Sequence, residues 1–293
     1  MKIIVTGGSG LIGSKIVKEL TKRNHEVHYT YYTNKLNIGI GHVLDIKQKN
    51  DTVNLISKLK ADYVIHTAAL TNVDLCETDK KLAYLTNVKG TENVLEGCKK
   101  TQSKIIYIST SFVFDGKKEK YYENDIPKPI NNYGLTKLEG EKMVKKSKLP
   151  YLILRTDQPY GWKEKWQRNN SVLRVLDNLD QSNIMKEIDD WFNVPTYISD
   201  LVEVIEYMIN HKLVGIYHVV GSNFVNRYEW ALVIAGIFKL NKKLIIPIKS
   251  KSLNLPAKRA NVNLSNKKLL QDTKIVMKGI TEGLNHMQKI QLK

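Results

Sequence analysis

Cysteine is scarce in this chain: Cys76 and Cys98 are the only two in 293 residues. They lie far apart and outside any metal-ligand spacing, so a thiolate metal site is not expected. Two buried reduced thiols fit better, and they imply a reducing, cytoplasmic compartment. The seven histidines form no ligand cluster either, so no metal is expected. No apolar run reaches the roughly 18 residues of a membrane span. Met1 leads straight into an apolar stretch, Lys2–Thr6, so no signal peptide is expected. Internal repeats and low-complexity linkers are also missing. Acid is in short supply: 29 Asp and Glu stand against 46 Lys and Arg, a formal net charge of +17. Such a balance first suggests nucleic acid. The lysines, however, are scattered over ordinary helix faces, as at Lys15, Lys18 and Lys22 or Lys142, Lys145, Lys146 and Lys148. No basic stripe interleaved with aromatics exists, so a solvated lysine-rich surface is expected and nucleic acid is not. The positive field would still gather a small anionic ligand.

What is present is an alternation of strands and helices. Hydrophobic residues make up 42% and charged residues 26%, the balance of a soluble globular chain. Lys2–Thr6 reads as a strand and Leu11–Lys22 as a helix with Leu11, Ile12, Ile16, Val17 and Leu20 at helical spacing. Strands are expected at Glu26–Tyr31, Tyr63–Thr67, Lys104–Ser109 and Tyr151–Arg155. Helices are expected at Asp51–Leu59, Leu82–Lys99 and Tyr133–Lys146. This rhythm predicts an α/β fold, a Rossmann-type doubly wound parallel sheet with right-handed crossovers. It covers residues 1–155, and Pro195–Asn210 repeats it, so 194–212 is expected to return to the sheet. Residues 156–193 carry Trp162, Trp166 and Trp191 without a clear repeat. With 213–293, they are expected to form a smaller α/β substrate-binding lobe over the carboxyl edge of the sheet, where open α/β sheets bind ligands.

Thr6-Gly-Gly-Ser-Gly-Leu-Ile-Gly13 follows the first strand and opens the first helix. In that context the glycines have distinct uses. Gly7 allows a sharp turn, Gly10 lets backbone approach a pyrophosphate, and Gly13 lets the helix pack closely. The helix N-terminus then offers its free amides to the anion. A bound dinucleotide is the consequence. The end of the second strand, Tyr29-Thr-Tyr-Tyr-Thr33, holds no acid to bind a ribose 2′-hydroxyl, and Lys35 follows soon after. The missing carboxylate removes repulsion against a 2′-phosphate, so NADP, used as NADPH, is favoured, with NADH also accommodated. Asp45-Ile46, after the third strand, either meets the adenine or is a plain surface turn.

Tyr133 and Lys137 stand at i and i+4, on one face of a helix. A phenol releases its proton near pH ~10, and a neighbouring cation lowers that value. Ser109-Thr110 ends the preceding strand at the sheet edge where the dinucleotide should lie. Together the three side chains form a proton-transfer set. Tyr133 would give a proton to a carbonyl oxygen as hydride reaches carbon, Lys137 would hold the cofactor ribose and lower the phenol pKa, and Thr110 would orient the carbonyl.

With these residues in view, the chain resembles an extended short-chain dehydrogenase/reductase, and more narrowly the dTDP-4-dehydrorhamnose reductase family. The similar segments run nearly end to end. They include His66-Thr-Ala-Ala-Leu-Thr-Asn-Val-Asp-Leu-Cys-Glu77, Asn87-Val-Lys-Gly-Thr91, Phe112-Val-Phe-Asp-Gly116, Asn131-Asn-Tyr-Gly-Leu-Thr-Lys137 and Pro256-Ala-Lys-Arg259. The resemblance implies NAD(P)H-dependent reduction of the C4 ketone of a nucleotide-activated 6-deoxy sugar. It implies that Gly10, Leu11, Ile12, Asp45, Ile46, Ala68, Ala69 and Leu70 line the cofactor, and that Thr110, Tyr133 and Lys137 are the catalytic positions. It also implies a homodimer formed through Leu82–Lys99 and Tyr133–Lys146. Arg259 falls where such enzymes often meet the substrate diphosphate, which its forked guanidinium suits, although a surface salt bridge is as good a reading.

Two positions depart from the family pattern, both on the sugar side. The family usually reads Ser-Thr-Asp-Tyr at the strand end; Ser111-Phe112 stands here and removes a carboxylate. The family also tends to have a tryptophan shortly after Arg-Thr; Gln158 stands in its place. Trp162, Trp166 and Trp191 either restore an aromatic wall or pack a core. The absence of an Asp-Glu pair after Thr110 disfavours elimination, and the absence of the second-strand acid disfavours a nucleotide-sugar epimerase. A second class stays open on similarity around Tyr122-Glu-Asn-Asp-Ile-Pro127: an NADP-binding regulatory subunit like the non-catalytic subunit of methionine adenosyltransferase.

Overall fold

The computed structural model describes residues 1–291. The first half alternates strand and helix: β1 (Lys2–Thr6), α1 (Leu11–Lys22), β2 (Glu26–Tyr31), β3 (Ile40–Val43), α2 (Lys49–Leu59) and β4 (Tyr63–His66). Then come α3 (Val73–Thr78), α4 (Lys80–Tyr84), α5 (Gly90–Thr101), β5 (Lys104–Thr110), α6 (Asn132–Lys146) and β6 (Tyr151–Thr156). The second half contains β7 (Pro159–Tyr160), α7 (Ser171–Asp180), β8 (Met185–Ile188), β9 (Phe192–Asn193), β10 (Thr196–Tyr197), α8 (Ile198–Asn210) and β11 (Gly215–His218). β12 (Val225–Asn226), α9 (Arg227–Ile237), β13 (Ile245–Ile248), α10 (Lys267–Thr273) and α11 (Ile280–Gln291) complete it.

Seven strands form one parallel sheet in the order β11-β6-β5-β4-β1-β2-β3. This is the Rossmann-type doubly wound sheet that the alternation predicts. Its inner strands are apolar on both faces, because helices cover both: Ile3, Ile4 and Val5 of β1 are fully buried. One face packs Ile16, Val17 and Leu20 of α1 with Leu201, Val204 and Ile205 of α8. The other packs α2, α5 and α6 through Ile56, Val94, Cys98 and Val144. A separate core gathers α7, α9, α11 and the short strands beside them around Trp230, with Tyr160, Leu173, Leu176, Ile234 and Leu284.

One boundary shifts. The expected lobe includes 213–293, yet Gly215–His218 is the seventh strand of the large sheet, in register with Leu152–Arg155 of β6. Four residues between a helix and a glycine-rich turn carry too little periodicity to reveal this. Leu292 and Lys293, the end of the expected lobe, lie outside the described residues.

The expected helix Leu82–Lys99 is interrupted by a π-helical turn at Leu85–Lys89. The extra residue turns Asn87 inward. Its side chain accepts from the Leu70 amide at 2.7 Å and donates to the Leu70 carbonyl and the Thr136 hydroxyl, both at 3.1 Å. Asn87 thereby ties the loop after β4 to α6. Single π turns inside helices often sit at functional sites for this kind of reason.

Crossovers leave β1 and β4 in opposite directions, since β2 lies on one side of this pair and β5 on the other. The carboxyl ends of such a pair open a crevice at the switch point. The loops after β1, β4, β5 and β6 converge there.

Candidate active site

A cleft of about 900 Å³ runs from the glycine loop, across the ends of β4, β5 and β6, to α7 and α9. Gly7, Gly10, Leu11, Ile12 and Gly13 form its first wall. Gly7 turns with φ +68°, in the left-handed region. A Cβ on Gly13 would overlap the Gly7 carbonyl and come within 2.9 Å of Gly8 Cα and Thr67 Oγ1. No side chain caps α1, so its first amides remain available to an anion in the cleft. These are the features a pyrophosphate requires, and they fit a nicotinamide dinucleotide.

Thr30, Tyr31 and Tyr32 at the end of β2 and Asp45, Ile46 and Lys47 after β3 line the same end. The Asp45 carboxylate accepts from the Lys47 amide at 3.0 Å and pairs with its ammonium at 3.4 Å. Asp45 is therefore both a turn former and a cleft residue. Lys47, not singled out in the sequence, brings a cation to the adenosine end. Ala68 and Ala69 also line the cleft. Leu70 does not; it packs against the cluster of Tyr133, Cys76 and Ala83.

Thr110, Tyr133 and Lys137 come together in the middle of the cleft. Asn131 caps α6 by accepting from the Gly134 amide at 2.8 Å, which fixes the turn that carries Tyr133. Burial pushes the Tyr133 phenol well above its ordinary pKa, and its hydrogen bond with Thr110 pulls the other way. Burial also lowers the Lys137 ammonium to about 7, opposed by the nearby Glu141 carboxylate. The Lys137 nitrogen lies 4.0 Å from the Tyr107 ring centroid. The group that eases phenol ionisation here is thus Thr110; Lys137 stays one turn along the helix, over Tyr107.

Behind this trio lies a buried ionic network that the sequence did not reveal. Glu141 continues the Tyr133–Lys137 face by one more turn. Its carboxylate accepts from Arg155 Nε at 2.9 Å and Nη2 at 2.7 Å, and from Ser109 Oγ at 2.6 Å. Glu141 and Arg155 are 0% and 1% exposed. The pair clamps α6 to the carboxyl ends of β5 and β6.

The far end of the cleft is basic and aromatic. Arg174 of α7, Arg227 of α9 and Arg259 line it beside Trp191. The Arg227 guanidinium lies 4.8 Å from the Trp191 ring centroid, and Arg259 lies 5.8 Å from it. Burial, with Arg174 as the next contribution, lowers Arg227 to about 10. Arg174 pairs with Glu187, which leaves Arg227, between the ring and the cleft, as the arginine whose charge faces an anion most directly. For Arg259 the structure shows the salt bridge together with a place on the cleft wall. Its pair with Asp74 is forked, at 2.7 and 2.8 Å. Of the other tryptophans, Trp162 packs in the lobe against Phe238, and Trp166 donates to the Ser9 carbonyl of the glycine loop at 3.1 Å. Trp191 is the one at the arginine cluster.

Gln158 lines the cleft in a left-handed conformation, φ +40°. Ser111 does not line it. Ser111 is 2% exposed and donates to Asp157 Oδ1 at 2.8 Å. Asp157, next to Gln158, is the residue that reaches the cleft.

The sheet order, glycine loop and convergent Thr-Tyr-Lys side chains define an NAD(P)-binding fold of the extended short-chain dehydrogenase/reductase class. The comparisons narrow it. The model of the RmlD substrate binding domain family matches residues 1–292, and the chain belongs to that family. It is 32% identical over 241 residues to a dTDP-4-dehydrorhamnose reductase of Aggregatibacter actinomycetemcomitans, covering 80% of this chain and 78% of the relative. It is 30% identical over 275 residues to methionine adenosyltransferase 2 subunit beta of Xenopus tropicalis, covering 92% and 81%. A solved dTDP-4-dehydrorhamnose reductase of Bacillus anthracis, in complex with NADP, superposes with a TM-score of 0.89 at 28% identity over 99% of each chain.

Proposed function

We propose that this protein uses NADPH to reduce the C4 ketone of a nucleotide-activated 6-deoxy sugar. The observation that carries the reading is one continuous cleft with the glycine loop at one end, Thr110, Tyr133 and Lys137 in the middle, and the arginine cluster at the other. A dinucleotide fits the first part and a nucleoside diphosphate the last, which brings the attached sugar to Tyr133. The nicotinamide supplies hydride when bound. The chain's own residues handle the proton and the charge. Tyr133 Oη donates its proton to the ketone oxygen as negative charge develops there. Thr110 donates its hydroxyl hydrogen to the same oxygen and orients it. Lys137 holds the ribose. The high phenol pKa keeps Tyr133 protonated and ready to donate at neutral pH. Lys47 and the absence of an acid after β2 support NADPH over NADH. Arg174, Arg227 and Arg259 hold the diphosphate, and Trp191 lies beside it. A homodimer is supported by exposed Tyr84, Leu85 and Leu135, apolar side chains on α4, the π turn and α6.

The regulatory reading has support of its own: relatives named methionine adenosyltransferase 2 subunit beta are among the most similar proteins. One assay separates the two. Purified protein is given NADPH and a panel of dTDP- and UDP-linked 4-keto-6-deoxy sugars, and absorbance at the reduced-nicotinamide band is followed. Consumption with one of them supports the reductase. Tight NADPH binding without turnover of any of them would exclude it and favour the regulatory subunit.

A further inference from the structure

Ser111 and Asp157 belong to adjacent strand ends. Thr110 of β5 is in register with Thr156 of β6, and the chain continues from each into this pair. The hydroxyl of Ser111, buried behind the wall, donates to Asp157 Oδ1 at 2.8 Å. The Val194 amide donates to Asp157 Oδ2 at 2.8 Å. The Asn193 side chain adds a third hydrogen bond; each carboxylate oxygen has two acceptor positions, so one of the four stays open. Asp157 is 2% exposed, yet it lines the cleft that holds Thr110, Tyr133 and Gln158.

We infer that Asp157 is a specificity-determining residue that accepts a hydrogen bond from a sugar hydroxyl of the nucleotide-linked substrate, with Ser111 as the residue that positions it. The carboxylate absent from the end of β5 is thus supplied from the end of β6, one strand over. The inference rests on the nucleotide-sugar reading of the cleft. Its electrostatics agree: burial raises the Asp157 carboxyl to about 6 while Arg227 opposes the rise, so the group is an anionic acceptor at neutral pH. The other groups facing it are the Tyr133 phenol of α6, the Asn193 side chain and the two donors already named. The arginines recognise the diphosphate whatever sugar follows. Asp157 discriminates the sugar, because a buried acceptor left without its donor is costly.

Calorimetric titration in the presence of saturating NADP separates the two contributions. The ligands are dTDP and UDP alone, and dTDP-glucose and UDP-glucose. Wild-type protein should bind the better nucleotide-sugar more tightly than its bare diphosphate. Asp157→Ala should weaken that sugar ligand by roughly tenfold to a hundredfold, the range for a hydrogen bond to a charged group, with the bare diphosphate unchanged. Asp157→Asn preserves volume should alanine destabilise the fold, and it should show the same selective loss. Ser111→Ala should give a smaller loss, again confined to the sugar ligand. Equal weakening of sugar ligand and bare diphosphate, or no weakening of either, would overturn the role of Asp157 while leaving the nucleotide-sugar reading intact. Wild-type protein that binds none of the four ligands would overturn that reading and this inference with it.

Discussion

Replacing Glu141 with glutamine tests the ionic network behind the proton-transfer set. The change keeps size and one acceptor oxygen but removes the charge that faces Arg155. Besides the one glutamine oxygen, the guanidinium, 1% exposed, then keeps the Glu123 carbonyl at 3.5 Å and His218 Nε2 at 3.4 Å, both long for hydrogen bonds. His218 adds no repulsion of its own, since burial and the neighbouring Arg155 hold its pKa near 3 and it stays neutral. Stripping one partner from a buried pair costs about 3–5 kcal/mol. The oxygen that glutamine retains puts this case near the lower end, about 3 kcal/mol. That is a large part of the roughly 5–15 kcal/mol that holds a domain folded. With a urea dependence of about 3 kcal/mol per molar, the unfolding midpoint should fall by about 1 M with an unchanged slope. A Glu141→Leu, Arg155→Met double variant should recover most of the loss, because it buries no charge. Equilibrium urea unfolding followed by tryptophan fluorescence is the assay. A loss below about 1 kcal/mol for Glu141→Gln, with the double variant no better than the single, would refute the reasoning, because it would mean that Arg155 is not held as a buried charge. The same substitution should also move Lys137. Glu141 is the group that opposes its burial shift, so the ammonium should deprotonate below about 7.

Two further outcomes follow from the cleft. Gly13→Ala drives a Cβ into the Gly7 carbonyl and should weaken NADPH binding at least about tenfold by fluorescence titration; an unchanged affinity would contradict the close-packed loop. Lys137 is depressed to about 7 in the fold and returns to its ordinary 10.5 when unfolded. The native state therefore binds fewer protons between these values, and stability from this group rises with pH across that window and is flat below it. Relative to Lys137→Met, the wild type should gain on the order of 2–3 kcal/mol between pH 7.5 and 9.5 in urea unfolding; parallel curves for the two proteins would rule this out.

Much of this arrangement is readable in the chain, and its limits are physical. β1, α1 and β2 have the bounds their periodicity predicts, because both patterns extend over whole elements bounded by glycine or by charged turns. The π turn at Leu85–Lys89 interrupts a helix whose apolar spacing hardly changes, so only the inward hydrogen bonds of Asn87 reveal it. α7 had a readable signal: Asn170 caps it through the Val172 and Leu173 amides, and Val172, Val175, Leu176 and Leu179 repeat at helical spacing. The surrounding tryptophans and polar residues masked that signal. The convergence of Arg227 and Arg259 on Trp191 joins residues from separate elements and has no local signature. The missing carboxylate at Ser111 is visible in the sequence. Its bond to Asp157 is not, because 46 residues separate the two and only the β5–β6 register brings them together.

The proposed chemistry turns on the Tyr133 phenol. With the nucleotide-linked keto sugar found to consume NADPH, Tyr133→Phe should lower kcat by about 10²-fold or more, the contribution of a positioned general acid. NADPH affinity should hold, because the ring and its packing against Phe112 remain. A variant that oxidises NADPH with the same sugar at the wild-type rate would contradict the assignment of Tyr133 as the proton donor.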